Sequence, residues 1–329
     1  MNLIKLNNYR IIKERGKILK KEILGKSFLC RFMLLFFVLF TCLTINSNIY
    51  ADAVRPLAIM IGNSPEEVIH QTGLNKADII YEANVEYPFT RLMAIFNNND
   101  DGIVGPVRSS RYYFSRLAVE WSAIFAHCGG QSLKSERVVN LDQMLYPSPY
   151  WRDTNIGGWI NLFTNIQNIR EKSRKMGFQE KIDLDNHLFG PRTLNLSGGN
   201  ITKISIQYNQ KHIIAYEYRA NTNTYLRYLN SKPHQDSKTL ESITASNIII
   251  QYVSVEGIHG DEEGRLEVGV IGEGIAKIFY GGNYYLTKWV KKSKDHPTVY
   301  YDKQGNLINL NQGNIWIHLV PEETKVWFK

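Results

Sequence analysis

Ala77-Asp-Ile-Ile-Tyr-Glu-Ala-Asn-Val-Glu86 is the stretch whose reading decides the expected fold. Ile79, Ile80, Ala83 and Val85 recur among polar residues, a pattern that predicts a helix. A short, nearly all-apolar run stands on each side of it. One is Pro56-Leu-Ala-Ile-Met-Ile61, closed by Gly62-Asn-Ser-Pro65, and the other is Thr90-Arg-Leu-Met-Ala-Ile-Phe96. Continuous apolar runs bounded by turn residues read as buried strands. Further on, Ser109–Glu120 carries Phe114, Leu117 and Ala118, with Trp121 following, at helical spacing. Ser122-Ala-Ile-Phe-Ala-His127, ending before Gly129-Gly130, is a third strand. Strand–helix–strand–helix–strand order predicts an α/β N-terminal domain with a largely parallel sheet. A later helix is expected from Thr164, as N-cap, to Lys175, stopped by Gly177.

Near Gly190-Pro191 to Gly199-Asn200 the texture changes to short strands separated by turns. Asn247–Val253, Leu266–Ile271, Ala276–Tyr280, Tyr284–Val290, Val299–Tyr301 and Ile315–Val320 are the clearest strands. Gly281-Gly-Asn283 and Asp302-Lys-Gln-Gly305 mark turns. The expected organisation is therefore an α/β domain over residues 54–195 and a mostly antiparallel β-domain over 200–329.

Residues 1–53 have the parts of a targeting segment. A basic region ends at Arg31, an apolar run follows from Phe32 to Ile45, and Ala51-Asp-Ala53 is a small-x-small cleavage pattern. The run is short of the roughly 20 residues that span a bilayer core, so a cleaved signal peptide is favoured, with a retained N-terminal anchor as the alternative. Leu39-Phe-Thr-Cys42 matches a bacterial lipobox only at its first and last positions, and lipidation stays open. The chain carries 39 Lys and Arg against 31 Asp and Glu. Nine of those bases and three of those acids lie in the first 53 residues, leaving 30 against 28. The basic bias belongs to the leader, so no nucleic-acid partner is expected. Of three cysteines, only Cys128 lies beyond the leader, so a disulfide within the mature domain is ruled out, as is a cysteine metal site.

Several strings resemble the YerB-like family of bacterial envelope proteins, the domain-of-unknown-function 3048 family. They are Arg55–Asn63, Gln71-Thr-Gly-Leu74, Ala77–Glu82, Thr90-Arg91, Gly105-Pro-Val-Arg-Ser-Ser-Arg111 and His127 with Gly129-Gly130. In the second half, Lys232-Pro-His234, Asp236, Asn247–Gln251, Trp289, Tyr301-Asp302 and Trp316-Ile317 are similar to the family's C-terminal domain. The resemblance implies bacterial origin, export and two domains, and supplies no activity. Where the family has Pro-His-Asn, this chain has Trp159-Ile160-Asn161.

The best chemical constellation is basic. Arg108 and Arg111, three apart at the start of the Ser109–Glu120 helix, oppose its macrodipole. An anionic ligand would offset that, because helix N-termini are natural anion sites. An internal network would do so equally, with Glu82 and Glu86 as partners and Arg91 drawn in from its apolar strand. His127, at a strand end, is a further candidate. His127 and Cys128 point to opposite strand faces and cannot form a dyad. His234 and Asp236 find no third ligand, so no metal is expected, and no sequence signal calls for a cofactor. Expected ligand-binding residues are therefore Arg108, Arg111, Arg91, Glu82, Glu86 and His127, with no catalytic residue assigned. Two functions follow. One is an extracytoplasmic module that binds an anionic envelope glycan, a lipid-linked precursor or an envelope protein, with membrane contact through its N-terminal segment. The other is an envelope transferase or hydrolase acting on phosphate-bearing wall polymer, with Glu82, Glu86 or His127 as acid or base.

Overall fold

Strands Leu57–Gly62 (β1), Ile79–Asn84 (β2), Thr90–Phe96 (β3), Ile124–His127 (β4) and Val139–Asp142 (β5) belong to one sheet. The computed structural model describes residues 53–97, 101–132, 138–182, 200–310 and 313–329. Lys203–Asn209 (β6), His212–Arg219 (β7) and Thr224–Leu229 (β8) start a second sheet. Asn247–Tyr252 (β9), Gly272–Tyr280 (β10), Asn283–Lys291 (β11), Val299–Tyr301 (β12) and Ile315–Val320 (β13) return to the first, and Lys325–Phe328 (β14) closes the second. The first sheet has ten strands in the order β12-β11-β10-β9-β13-β2-β3-β1-β4-β5.

The α/β expectation is a loose fit. The molecule is mostly β, and its described residues hold three α-helices: one turn at Pro65–Val68, Tyr112–Glu120 (α1) and Ile166–Lys175 (α2). The large sheet is mixed. β1, β4 and β5 are mutually parallel, and β13 runs parallel to both β9 and β2. β2, β3 and β1 are antiparallel neighbours, as are β9 to β12. The C-terminal strands outside β13 are largely antiparallel, as expected.

The decisive difference is Ala77–Glu86, expected as a helix and found as β2. Its residues are buried on both faces, so apolar side chains follow one another without clean alternation. Tyr81 and Ala83 point to one core and Ile80 to the other. A five- or six-residue apolar run does not separate strand from helix by period alone. The register settles it: Ile79, Tyr81 and Ala83 pair with Ile95, Met93 and Arg91 of β3.

The other consequence is for domains. The stretches 54–195 and 200–329 both supply strands to the ten-stranded sheet, where β13 is inserted between β9 and β2. Asp52–Lys329 is one compact unit. The leader and residues 183–199, with the expected boundary, lie outside the described residues.

Two cores flank the large sheet. On one face Tyr113, Phe114 and Leu117 of α1 pack on Tyr81, Met93 and Ile317. On the other, Ile204, Ile214 and Tyr216 of the second sheet and Ile166 and Ile169 of α2 pack with Ile59, Ile80 and Trp316. Each such side chain contributes about 1.5–3 kcal/mol when fully buried. α1 starts after Arg111, which has extended backbone and serves as N-cap without a side-chain bond to the helix. α2 is capped by Asn165, one residue beyond the expected Thr164, whose Oδ1 accepts from Gln167 N at 2.8 Å.

Candidate functional site

The six expected ligand residues do not converge. Strand parity separates them. Glu82 leaves β2 toward the second sheet, and Arg91 leaves β3 toward α1. Glu86 lies beyond the end of β2, in the turn to β3, so the two glutamates expected as arginine partners do not stand on one element.

On the α1 face, Glu86 takes two arginines. Arg111 Nε donates to Glu86 Oε1 at 2.7 Å, Arg111 Nη2 binds the same oxygen, and Arg91 Nη2 lies 3.7 Å from Oε2. Arg91 Nη1 also donates to Ser109 O at 2.9 Å, and Arg111 Nη1 to Ser110 O at 2.6 Å. The carboxylate thus reaches the N-cap residue of α1, where negative charge offsets the helix dipole. Burial alone would raise the Glu86 carboxyl, but the Arg111 bonds hold it below its ordinary value. Burial, with the Arg111 charge beside it, brings Arg91 down to about 10. The internal network is therefore the arrangement observed for Arg91 and Arg111.

Arg108 has a different partner. Its Nε is 2.6 Å from Oε1 of Glu67, an ion pair between a buried carboxylate and a half-buried guanidinium. Glu67 is fixed because it completes a capping box. Its Oε2 accepts from Ser64 N at 2.8 Å, and Ser64 Oγ accepts from Glu67 N at 3.3 Å. Arg108 keeps 30% of its side chain exposed, and Nη1 donates to Trp159 O at 3.3 Å. Trp159 is 77% exposed, and the Arg152 guanidinium stands 5.7 Å from its ring centroid. Arg152 Nη1 donates to Asn161 Oδ1 at 2.8 Å. Neither Arg152 partner carries charge. Two arginines and an open indole thus share one face, assembled on Trp159-Ile160-Asn161.

His127 and Cys128 do not meet. His127 is buried, with Nδ1 3.1 Å from Gly129 O and Nε2 3.2 Å from Asn140 Oδ1, and burial lowers its pKa. Cys128 Sγ donates to Gln143 Oε1 at 3.3 Å, and burial raises its thiol.

Between the two sheets lies a polar knot that sequence reading missed. Glu82, with no exposed surface, accepts at Oε1 from Asn63 Nδ2 at 3.0 Å, Thr90 Oγ1 at 2.9 Å and His212 Nε2 at 2.8 Å. At Oε2 it accepts from Arg227 Nη2 at 2.7 Å. Arg227, equally buried, also donates through Nη1 to His234 Nδ1 at 2.5 Å and lies 4.4 Å from the Trp316 ring centroid. His234 Nδ1 is therefore the acceptor, so its proton sits on Nε2 and goes to Gln71 Oε1 at 2.6 Å. His318 is bracketed by two tyrosines. Tyr208 OH donates to Glu82 O, which leaves His318 Nδ1–H to donate to Tyr208 at 3.1 Å and Nε2 to accept from Tyr216 OH at 2.9 Å. Both rings are thus neutral. Burial, with Arg227 close by, lowers His234 strongly and brings His318 to about 3. Burial would raise the Glu82 carboxyl; Arg227, followed by His212 and His318, holds it well below the carboxylate range. The signal was legible in principle. Arg227 sits two residues from Tyr225 on the inward face of β8, and a charge at an inward strand position demands a partner.

Asp236 ties the N-terminal stretch to the second sheet, with Oδ1 accepting from Thr72 Oγ1 at 3.0 Å and Oδ2 from Gly73 N at 2.7 Å. Among the described residues, no three His, Cys, Asp or Glu are arranged to hold a metal ion.

A mixed ten-stranded sheet with a second sheet bolted on by a Glu–Arg–His knot, and a Gly-Pro-Val-Arg-Ser-Ser-Arg segment feeding its helix, describes a known but functionally undefined class. Residues 43–179 match the N-terminal domain, and residues 204–317 the C-terminal domain, of the protein family of unknown function DUF3048, and the chain belongs to that family. One relative is YerB of Bacillus subtilis (strain 168), whose name marks it as a candidate lipoprotein. It is 28% identical over 280 residues, covering 82% of each chain. The crystal structure of the YerB protein from Bacillus subtilis is similar, with a TM-score of 0.74 and 26% identity, over 86% of this chain and 97% of the crystallised one.

Proposed function

We infer that this protein is an extracytoplasmic, non-catalytic module of the bacterial envelope that binds an anionic envelope glycan at the Arg108–Arg152–Trp159 face. The observation that carries the reading is Arg152, a solvent-facing guanidinium with only neutral partners among the described residues, held over an open indole. Indole faces stack on the C–H faces of sugars, and guanidiniums take phosphate or carboxylate in bidentate fashion. The envelope location is supported by the leader composition and by the lipoprotein name given to YerB. The binding role of Arg111 is set aside, because Glu86 occupies its guanidinium. An enzymatic reading draws no support from Glu82, which is sealed in the interior, or from Cys128, whose thiol is raised.

The test is calorimetric titration with poly(glycerol phosphate), with uncharged peptidoglycan fragments in parallel. Arg152→Gln and Trp159→Ala should each weaken binding of the anionic polymer about tenfold or more, roughly the value of one charged hydrogen bond. Unchanged affinity in both variants would overturn the assignment of this face. Tighter binding to the uncharged fragments would overturn the anionic class. Glycerol phosphate released by phosphodiester hydrolysis during the titration would replace the module with a hydrolase.

A further inference from the structure

The folded unit has a defined point of attachment to the leader. Ala53 and Val54 pair with Ile182 and Lys181 in an antiparallel bridge, and Arg55 N donates to Glu180 O at 2.6 Å. The chain therefore enters the domain beside the stretch that follows α2. Everything that precedes it in sequence is the basic and apolar leader.

The surface at this point is basic out of proportion to the rest. α2 and the stretch after it carry Arg170, Lys172, Arg174, Lys175 and Lys181 against Glu171 and Glu180. Over the described residues 166–182 that is a net of three, against a net of two over the whole chain beyond residue 53; Asp183 and Asp185 follow outside the described residues. Arg174 and Lys175 have more than half of their side-chain surface exposed.

The same helix is flanked by two clefts. One, of about 300 Å³, is lined by Val54, Arg55, Gln167, Arg170, Arg174 and Glu180. The other, also about 300 Å³, is lined by Tyr150, Trp151, Asn168, Glu171, Lys172 and Lys175, with Glu171 paired to Lys175. Each places cations beside apolar surface. Trp151, 37% exposed, stands at the rim of the second cleft, with an aromatic body and a polar N–H as in residues that settle at the headgroup level of a bilayer.

We propose that the α2 face, with its two clefts, lies against an anionic phospholipid surface and seats lipid phosphate groups. The occupant follows from attachment and charge. A leader retained as an N-terminal anchor holds residue 53 near a membrane, and the surface beside that residue carries the excess cations. Each Lys or Arg near an anionic surface adds a similar increment of attraction, so several act together. The Arg108–Arg152–Trp159 face shares the short strand Tyr150–Arg152 with the second cleft, but none of its three residues lines either cleft, and it is left to bind the glycan. The proposal rests on the reading that the chain is delivered to the outer face of the cytoplasmic membrane.

The test uses the chain from Val54 onward. The unit Asp52–Lys329 contains both cores, and the crystallised relative is matched over 97% of its length. Co-sedimentation with vesicles of phosphatidylglycerol and phosphatidylcholine is compared with vesicles of phosphatidylcholine alone. Binding should appear only on the anionic vesicles and fall steeply with salt. Lys172→Glu/Arg174→Glu/Lys175→Glu should weaken it by ~100-fold. The pairs removed, Arg174–Glu180 and Lys175–Glu171, are exposed and stabilise little, so the fold should persist. Should circular dichroism show the triple variant unfolded, Arg174→Gln/Lys175→Gln replaces it, with ~10-fold weakening expected. Equal binding to both vesicle types, or variant binding equal to wild type, overturns the proposal. Displacement by millimolar inorganic phosphate would show a free-phosphate site and overturns it too. Arg152→Gln should bind vesicles as wild type does; loss there would mean that the glycan face was misassigned. Protease treatment of intact protoplasts tests delivery separately: protection of the domain until lysis would remove the premise without touching the vesicle result.

Discussion

At the scale of single residues, the partition of the arginines is the most consequential feature. Arg227 neutralises a carboxylate that has no exposed surface. Removing one member of such a pair leaves a buried charge, so Arg227→Leu should cost about 3–5 kcal/mol in urea unfolding. A loss below about 1 kcal/mol would mean that water or a shifted proton rescues Glu82. Arg111→Ala should cost less, about 1.5–3 kcal/mol, because Glu86 retains a quarter of its surface and Arg91 remains. Arg108→Ala should cost about 0.5–1.5 kcal/mol, since its side chain is partly in solvent and the buried Glu67 keeps the Ser64 N–H as a donor. The order Arg227, Arg111, Arg108 in melting temperature is the checkable outcome. Reversal of the last two would show that Arg108, with its capping-box partner, holds the fold instead of facing a ligand.

Among elements, what could be read in advance was local. β1, β3 and β4 announce themselves as apolar runs bounded by turn residues, and α2 by its cap and by Gly177. β2 did not, because burial on both faces erased the alternation that identifies a strand. The Glu82 knot was legible only at Arg227, whose inward charge demanded a partner. His212 and Arg227 reach Glu82 through sheet-on-sheet packing, His234 joins by way of Arg227, and His318 stands opposite Glu82 on the neighbouring strand β13, more than a hundred residues from His212 in sequence. The Arg108 neighbourhood was half legible. The Gly-Pro-Val-Arg string marked it, but its companions carry no periodic signal: Arg152 ends the three-residue strand Tyr150–Arg152, and Trp159 lies in the turn that follows. One junction holds that neighbourhood in place. Gly130, at φ +82°, bridges to Ser110, and a Cβ there would lie 2.4 Å from Ser110 O. Backbone cannot step aside as a side-chain tip can, so Gly130→Ala should destabilise by about 1–3 kcal/mol. It should also weaken anionic polymer binding by displacing Arg108. Wild-type stability and binding in this variant would show that the bridge is dispensable.

For the whole molecule, the shared sheet predicts one cooperative unit. Calorimetric and van't Hoff enthalpies should agree, and two separate transitions would show that the halves 54–195 and 200–329 melt independently despite their common sheet. Acid should weaken that unit early. His234 and His318 are held neutral with folded pKa values below the ordinary 6.5, so the unfolded chain binds more protons as pH falls. Their contribution is intact above about pH 6.5 and is lost progressively below it, for His318 down to about 3. Between pH 6.5 and about 4.5, above most carboxylate titration, stability should fall by up to about 1.4 kcal/mol per pH unit for each histidine. His318→Gln should flatten this slope, and a flat profile in the wild type would contradict the neutral assignment. The position of β13 carries one more consequence, for the order in which the polypeptide emerges. This strand, Ile315–Val320, supplies the ladder between β9 and β2 and follows the nine other strands of the large sheet in sequence. A chain made from its N-terminus cannot close that gap until all nine have emerged. Until then β2 and β9 each present a bare edge, so the sheet completes only when its last strand arrives as the latch.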